Sequence, residues 1–195
     1  MQAIILNVLR ESLEVKEQFI KNNLDLIQRG AYSLATCITS GHKVLIFGNG
    51  GSAADAQHIA AEFVNRFQIE RPPLAAIALT TDTSIITSIA NDYHFDQIFS
   101  KQVRALGQKD DIAIGISTSG GSRNVLEAIH AARDIGIFTI GLTGRGGKLA
   151  ECADLVFRVE SDTTARIQEA HITLGHILCD LLERILFPEK YGKKL

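Results

Sequence analysis

The chain has 195 residues, 46% hydrophobic and 22% charged, a composition typical of a globular protein with a substantial core. Its formal net charge of −2 gives no electrostatic basis for binding nucleic acid. No apolar run approaches the roughly 20 residues that a membrane-spanning helix requires, and the N-terminus lacks the basic start of a signal peptide. Cys37, Cys152 and Cys179 are scattered without a C-x-x-C pair, so we expect reduced thiols and a cytoplasmic protein. From the charge and the lack of a long apolar run, we expect it to bind neither nucleic acid nor membrane.

The chain begins with helical patterns and then alternates between strands and helices. Apolar residues at helical spacing in 1–40 predict one or two helices, with a break near Asn22 and Asn23 or at Gly30. Strands are expected at 44–47, 74–79, 112–116, 137–142 and 155–159. Helices are expected after the first strand and over 84–90, 95–106, 124–133 and 165–186. This alternation predicts an α/β fold with an open, five-stranded parallel sheet covered by helices on both faces.

No linker or low-complexity segment divides the sequence, so a single domain over 1–195 is the simplest partition. Within it, residues 1–40 would form an N-terminal helical segment and 43–195 the αβα core. Leading helices have little to do in the monomer of such a fold. We therefore expect the N-terminal segment to pack against the core and against another subunit.

A glycine-rich turn follows the first strand, where residues 48–52 read Gly-Asn-Gly-Gly-Ser. Glycines allow a sharp turn and a close approach of the backbone to a ligand, and Ser52 is a good N-cap for the alanine-rich helix that follows. His58 and Glu62 lie four residues apart and project from one face of that helix. A His/Glu pair at this spacing is often only a surface pair, and the dinucleotide-binding pattern G-x-G-x-x-G is absent.

A second polar turn follows the third strand, where residues 117–122 read Ser-Thr-Ser-Gly-Gly-Ser. Its hydroxyls stand at the N-terminus of a helix, where outward-pointing N–H groups and the helix dipole favour an anion. The alternative is a serine-rich helix cap without a ligand. No Gly-Lys-Ser/Thr segment of a P-loop is present, which disfavours a nucleoside triphosphate as the ligand.

The last helix carries Gln168, His171 and His176. The two histidines are about 140° apart around a helix and cannot share one face. Gln168 and His176 are about 80° apart around the helix and about 12 Å apart along it. One small site could include both only if both side chains extend towards it or one acts across a subunit boundary, so spacing alone favours structural roles for these histidines.

Taken together, the glycine turn, the serine turn, Ala90-Asn91-Asp92 and Arg166-Ile167-Gln168-Glu169 resemble the bacterial phosphoheptose isomerases, which have the sugar isomerase (SIS) fold. The resemblance covers essentially the whole chain. It implies a three-layer αβα sandwich, a homotetramer and active sites built at subunit boundaries. The family isomerises sedoheptulose 7-phosphate to D-glycero-D-manno-heptose 7-phosphate, the first step towards ADP-heptose and lipopolysaccharide.

The resemblance also assigns roles to residues. Glu62 matches the catalytic base and His176 its partner, while Ser117, Ser119 and Ser122 match a phosphate cradle. Several family members bind zinc through residues that match His58, Glu62, Gln168 and His176, so we expect Zn²⁺ as a cofactor. The expected substrate contacts are Asn49, Gly50, Gly51, Ser52, Glu62, Asn91, Asp92, Ser117, Thr118, Ser119, Ser122 and Gln168.

Other functions are compatible with parts of the sequence. Segments 65–72 and 101–107 resemble a close relative of the family that binds the bacterial replication initiator as a tetrameric scaffold. That regulator lacks the acid and the base at the positions of Glu62 and His176, whereas this chain keeps both, which favours the enzyme. A sugar-phosphate-sensing regulator would need an appended DNA-binding domain. Another SIS isomerase, acting on pentose or hexosamine phosphates, remains an alternative.

Overall fold

The computed structural model describes residues 1–192, in which two helices precede the first strand. Helix α1 spans Gln2–Asn22 and α2 spans Leu24–Thr39, so the predicted break near Asn22 and Asn23 is confirmed. Gly30 lies inside α2 instead of breaking it. A Cβ atom at Gly30 would lie 3.3 Å from the ring of Phe157, so glycine here allows α2 to approach the sheet closely.

Five parallel strands form one sheet in the order β2-β1-β3-β4-β5, which confirms the predicted fold class. Strand β2 is shorter than predicted because, at the edge of the sheet, it pairs with β1 over only three residues. The strand bounds are β1 Val44–Gly48, β2 Ala76–Ala78, β3 Ile112–Ser117, β4 Phe138–Thr143 and β5 Leu155–Arg158.

Helices cover both faces of the sheet over two separate clusters of buried apolar side chains. Helices α1, α2, α3 and α8 contribute to one cluster, and α5, α6 and α7 to the other. The predicted helix 95–106 begins with a 3₁₀ turn at Phe95–Gln97, and the four-residue α7 was not predicted. The remaining helices are α3 Gly51–Val64, α4 Thr83–Asp92, α5 Ile98–Leu106, α6 Arg123–Asp134, α7 Leu149–Cys152 and α8 Thr164–Leu186.

The strand order reverses between β1 and β3, which are neighbours in the sheet. The chain leaves β1 towards β2 on one side, whereas it leaves β3 towards β4 on the other. Ligands of open α/β sheets bind at such a switch point, outside the carboxyl ends of the strands. Gly48 pairs with Ile116, so the glycine turn and the serine turn leave the sheet side by side.

Across residues 1–192, no helix combines the length and the apolar character that crossing a membrane requires.

Candidate active site

A pair of asparagines joins the two polar turns at the switch point. Asn49 Nδ2 donates to Asn124 Oδ1 at 2.9 Å, and Asn124 Nδ2 donates back to Asn49 Oδ1 at 2.8 Å. Asn124 is buried in the first turn of α6. The sequence analysis missed Asn124, although its place two residues after the serine turn was a usable signal. These two hydrogen bonds between the side-chain amides hold the turn after β1 beside the turn after β3.

The glycine turn leads directly into helix α3. Gly50, which has a φ of +57°, is the N-cap residue of that helix. The predicted N-cap role of Ser52 is therefore wrong, because Ser52 lies inside the first turn with its side chain buried. A Cβ atom on Gly48 would lie 2.9 Å from the carbonyl oxygen of Ile116, so this close approach of β1 to β3 requires glycine.

Three serine hydroxyls gather in the second turn. Ser117 Oγ lies 2.9 Å from Ser122 Oγ and 3.5 Å from Ser119 Oγ, and Ser119 Oγ accepts a hydrogen bond from the N–H of Gly121 at 3.2 Å. Gly120, with a φ of +63°, makes the turn possible. The exposed Ser119 and the half-buried Thr118 line a cavity of about 260 Å³. This cluster of hydroxyl and N–H donors at the start of α6 suits a phosphate group.

Two histidines and a glutamate meet between α3 and α8. His58 Nε2 lies 3.2 Å from Glu62 Oε1 and 3.4 Å from His176 Nε2. The ring of His176 also stacks on the ring of Phe67, with centroids 5.6 Å apart. The structure therefore joins the predicted acid–base pair through His58. Phe67 was not predicted as part of the site.

A half-buried carboxyl group, that of Asp55, accompanies these histidines. Burial raises the pKa of Asp55 above its ordinary value, and the nearby charges of His58 and His176 partly oppose that shift. Asp55 Oδ2 is buried without a hydrogen-bond partner among the described residues. Asp55 therefore places a carboxyl group close to both histidines.

The other predicted site residues divide into two groups. The carboxamide of Gln168 packs against Gly51, since a Cβ atom on Gly51 would lie only 2.4 Å from Gln168 Nε2. Asn91 and Asp92 are exposed at the end of α4 and hydrogen bond to each other at 2.8 Å. Their predicted contact with a substrate stays a prediction.

His171 is separated from this cluster, as the helical spacing predicted. It is fully buried and its Nε2 lies 3.2 Å from the carbonyl oxygen of Thr143 at the end of β4. Burial lowers the pKa of His171 to about 4, although the hydrogen bond to Thr143 works in the opposite direction. His171 is therefore a neutral structural histidine at neutral pH.

Some of the predicted zinc ligands have the spacing that zinc requires. Two donors on one tetrahedral zinc ion lie about 3.3 Å apart. The His58–Glu62 and His58–His176 separations of 3.2 and 3.4 Å fit that distance. Within residues 1–192, however, no group of three or more His, Cys, Asp and Glu side chains forms a complete metal site. The spacing of these two donor pairs suits zinc, but a further donor such as Gln168 would have to join them. The zinc site therefore stays a prediction.

The parallel sheet, the switch-point turns and the serine cluster define a protein of the SIS domain class, and the SIS domain family model matches residues 9–144. The chain is 59% identical over 178 residues to the phosphoheptose isomerase of Nitratidesulfovibrio vulgaris strain Hildenborough, covering 91% of this chain and 86% of that protein. It is 56% identical to the phosphoheptose isomerase of Aquifex aeolicus, with 92% and 94% of the two chains covered.

A solved structure agrees with these sequence comparisons. The phosphoheptose isomerase of Neisseria gonorrhoeae superposes with a TM-score of 0.88 at 46% identity, covering 93% of this chain and 98% of that one. The chain belongs to the phosphoheptose isomerase family. The family resemblance predicted from the sequence is thereby confirmed, whereas the extension of one SIS domain over 1–195 stays a prediction.

Proposed function

We propose that this protein isomerises D-sedoheptulose 7-phosphate to D-glycero-D-manno-heptose 7-phosphate. The observation that carries the proposal is the meeting of Glu62 with His58 and His176 in a chain 59% identical to a phosphoheptose isomerase. The product is the aldose from which ADP-heptose and then lipopolysaccharide are built. The presence of both Glu62 and His176 argues against the scaffold that binds the replication initiator.

The isomerisation needs a base and a proton shuttle. Glu62 removes a proton from C1 of the ketose, which leaves an enediol, and returns a proton to C2 to give the aldose. His176 moves the proton between the oxygens on C1 and C2, a task suited to imidazole near neutral pH. No atoms are gained or lost in the reaction. When no metal is bound, a hydrogen bond from His58 Nε2 orients the Glu62 carboxylate for this transfer.

The phosphate group would bind at the serine turn, through Ser117, Ser119 and Ser122 and the N–H groups at the start of α6. The base Glu62 lies eleven residues beyond Gly51 on α3, a distance of about 16 Å along the helix axis. A substrate held by its phosphate at the switch point must therefore reach along α3 to the base. This requirement favours an extended sugar phosphate chain over a short one.

We also propose that the site binds zinc through His58, Glu62, His176 and Gln168. When bound, zinc would polarise the substrate carbonyl and stabilise negative charge on the enediol oxygen. A matched pair of variants tests this assignment. Elemental analysis of protein purified without chelator should find zinc in the wild type and in His130→Ala, whose histidine is exposed on α6, but not in His58→Ala. Equal zinc in all three proteins would contradict the ligand set.

The N-terminal helix supports assembly into a homotetramer with active sites at subunit boundaries. Helix α1 exposes a series of large apolar side chains, which is costly in water and typical of a surface that another subunit covers. Three buried free cysteines agree with a cytoplasmic location. The exposed apolar residues here are Met1, at the N-cap of α1, and Ile4, Ile5, Leu6, Val8, Leu9 and Leu13 within α1.

The proposed activity is tested by proton NMR of sedoheptulose 7-phosphate incubated with the pure protein. The wild type should produce aldoheptose 7-phosphate signals, and Glu62→Gln should not, because the amide cannot accept the proton. Glu70→Gln is the control, since Glu70 is an exposed carboxylate on the segment that follows α3. Turnover by Glu62→Gln would remove Glu62 as the base. No turnover by the wild type, even with added zinc, would point to another sugar phosphate or to the scaffold.

A further inference from the structure

The ring of Phe67 lies against the imidazole of His176. The two planes are inclined by 28° with centroids 5.6 Å apart, while His58 meets the same imidazole edge-on at 5.0 Å. Aromatic rings prefer such separations, so the contacts restrict how the imidazole can turn. His176 is thus held between Phe67 and His58.

Phe67 lies on the segment after α3, and a buried carboxylate fixes the backbone of that segment. Glu183 Oε1 accepts a hydrogen bond from the N–H of Phe67 at 2.9 Å. Its Oε2 accepts from the N–H groups of Gln68 at 3.0 Å and Ile69 at 3.2 Å. Three successive N–H groups on one carboxylate leave this segment little freedom to move the Phe67 ring.

The same carboxylate is tied to the end of α3, where Glu62 lies. Glu183 pairs with Arg71 at 2.9 Å, and both side chains are almost fully buried. Arg71 in turn donates to the carbonyl oxygens of Glu62 at 2.7 Å and Phe63 at 2.8 Å. Carbonyl groups in the last turn of a helix have no hydrogen-bond partner within the helix, and the guanidinium of Arg71 provides donors for these two. One buried ion pair therefore contacts both the backbone of Glu62 and the backbone of Phe67.

We propose that Phe67 is a positioning residue for His176, and that the Arg71–Glu183 pair sets its ring in a fixed relation to Glu62. The segment that follows α3 then aligns the proton shuttle with the base. This inference rests on the proposed isomerase function. It assigns a role in turnover to an apolar side chain that has no chemistry of its own.

The test replaces Phe67 with leucine, which keeps apolar bulk without the ring, and with tyrosine, which keeps the ring. Phe138→Leu is the matched control, because Phe138 is also half-buried against the same core cluster but lies at the amino end of β4. The Cε1–H resonance of His176, assigned by its loss in His176→Gln, reports the stacking through the ring current of Phe67. Turnover of sedoheptulose 7-phosphate gives kcat and KM for each variant.

We expect Phe67→Leu to move the His176 resonance downfield and to lower kcat about tenfold, with KM changed less than about twofold, because a misplaced shuttle weakens only the transition state. Phe67→Tyr should restore both readouts, and Phe138→Leu should change neither. An unmoved resonance in Phe67→Leu, or a moved resonance with unchanged kcat, would overturn the proposal. So would an equal loss of kcat in Phe138→Leu. If the wild type does not turn over the sugar, the isomerase function fails, and the resonance alone decides whether Phe67 orients His176.

Discussion

His171 makes the stability of this protein depend on pH in a predictable way. The imidazole is fully buried, and its Nδ1 has no hydrogen-bond partner among the described residues. Because the carbonyl of Thr143 can only accept, Nε2 carries the proton and Nδ1 is bare. Adding a second proton would place an uncompensated charge in the core.

The pKa of His171 in the folded protein gives the size of the effect. It falls from the ordinary 6.5 to about 4. Between these two pKa values the imidazole of the unfolded chain binds a proton, whereas that of the folded protein stays neutral. The contribution of His171 to stability is therefore fully present above the pKa of the unfolded chain and is lost as the pH falls towards the pKa of the folded protein. Between about pH 7.5 and about pH 4.5 the loss amounts to about 2.5 kcal/mol, and it levels off below the folded pKa.

The variant His171→Gln isolates this contribution. Its carboxamide can still donate to the carbonyl of Thr143, but it does not titrate. Urea unfolding at fixed protein concentration, near pH 7.5 and near pH 4.5, should show a loss on acidification that is about 2.5 kcal/mol smaller in His171→Gln than in the wild type. His130→Gln, a change at an exposed position, is the control. Equal losses in the wild type and His171→Gln would refute the reasoning.

Three further predictions concern stability and assembly. Gly120→Ala, at a φ of +63° with its Cβ 2.2 Å from a carbonyl oxygen, should destabilise the protein by about 2 kcal/mol or more in urea unfolding. Gly121→Ala should not, because its Cβ would meet only Ser119 Oγ at 3.8 Å, an ordinary contact. Glu183→Gln should cost about 3–5 kcal/mol by the same measurement, because it breaks a buried ion pair; a cost under about 1 kcal/mol would contradict that. Leu9→Glu on α1 should reduce the mass in native mass spectrometry to that of a smaller assembly, while Leu106→Glu on α5 should leave it unchanged.

The sheet could be predicted from the sequence because the inner strands β1 and β3 are short, mainly apolar runs that are buried at every position. The runs at 44–47 and 112–116 fall on β1 and β3, and their polar ends fall on the switch point. The edge strand was overestimated because its length depends on pairing with β1, which local composition does not reveal. Helix α7 has only four residues, too few to show a periodicity.

The site was only partly predictable for a different reason. The hydroxyls and glycines of the two turns can be recognised from the local sequence, and the family resemblance predicted the roles of Glu62 and His176. The stacking of Phe67 on His176 had no local signal, because Phe67 is an ordinary apolar residue beyond the end of α3. Its position depends on Glu183, which lies 116 residues further along the chain.

The eight-residue spacing of Gln168 and His176 was the strongest argument against a common site. The packing of α3 on α8 explains how both residues come to face α3. Gln168 meets Gly51 and His176 meets His58, so the two helices run side by side in the same direction, and eight residues of one match seven of the other. Gly175 permits this contact, since a Cβ atom there would lie 2.8 Å from Ile59. Gln168 therefore lies beside the turn after β1 and His176 beside His58, both on the side of α8 that faces α3.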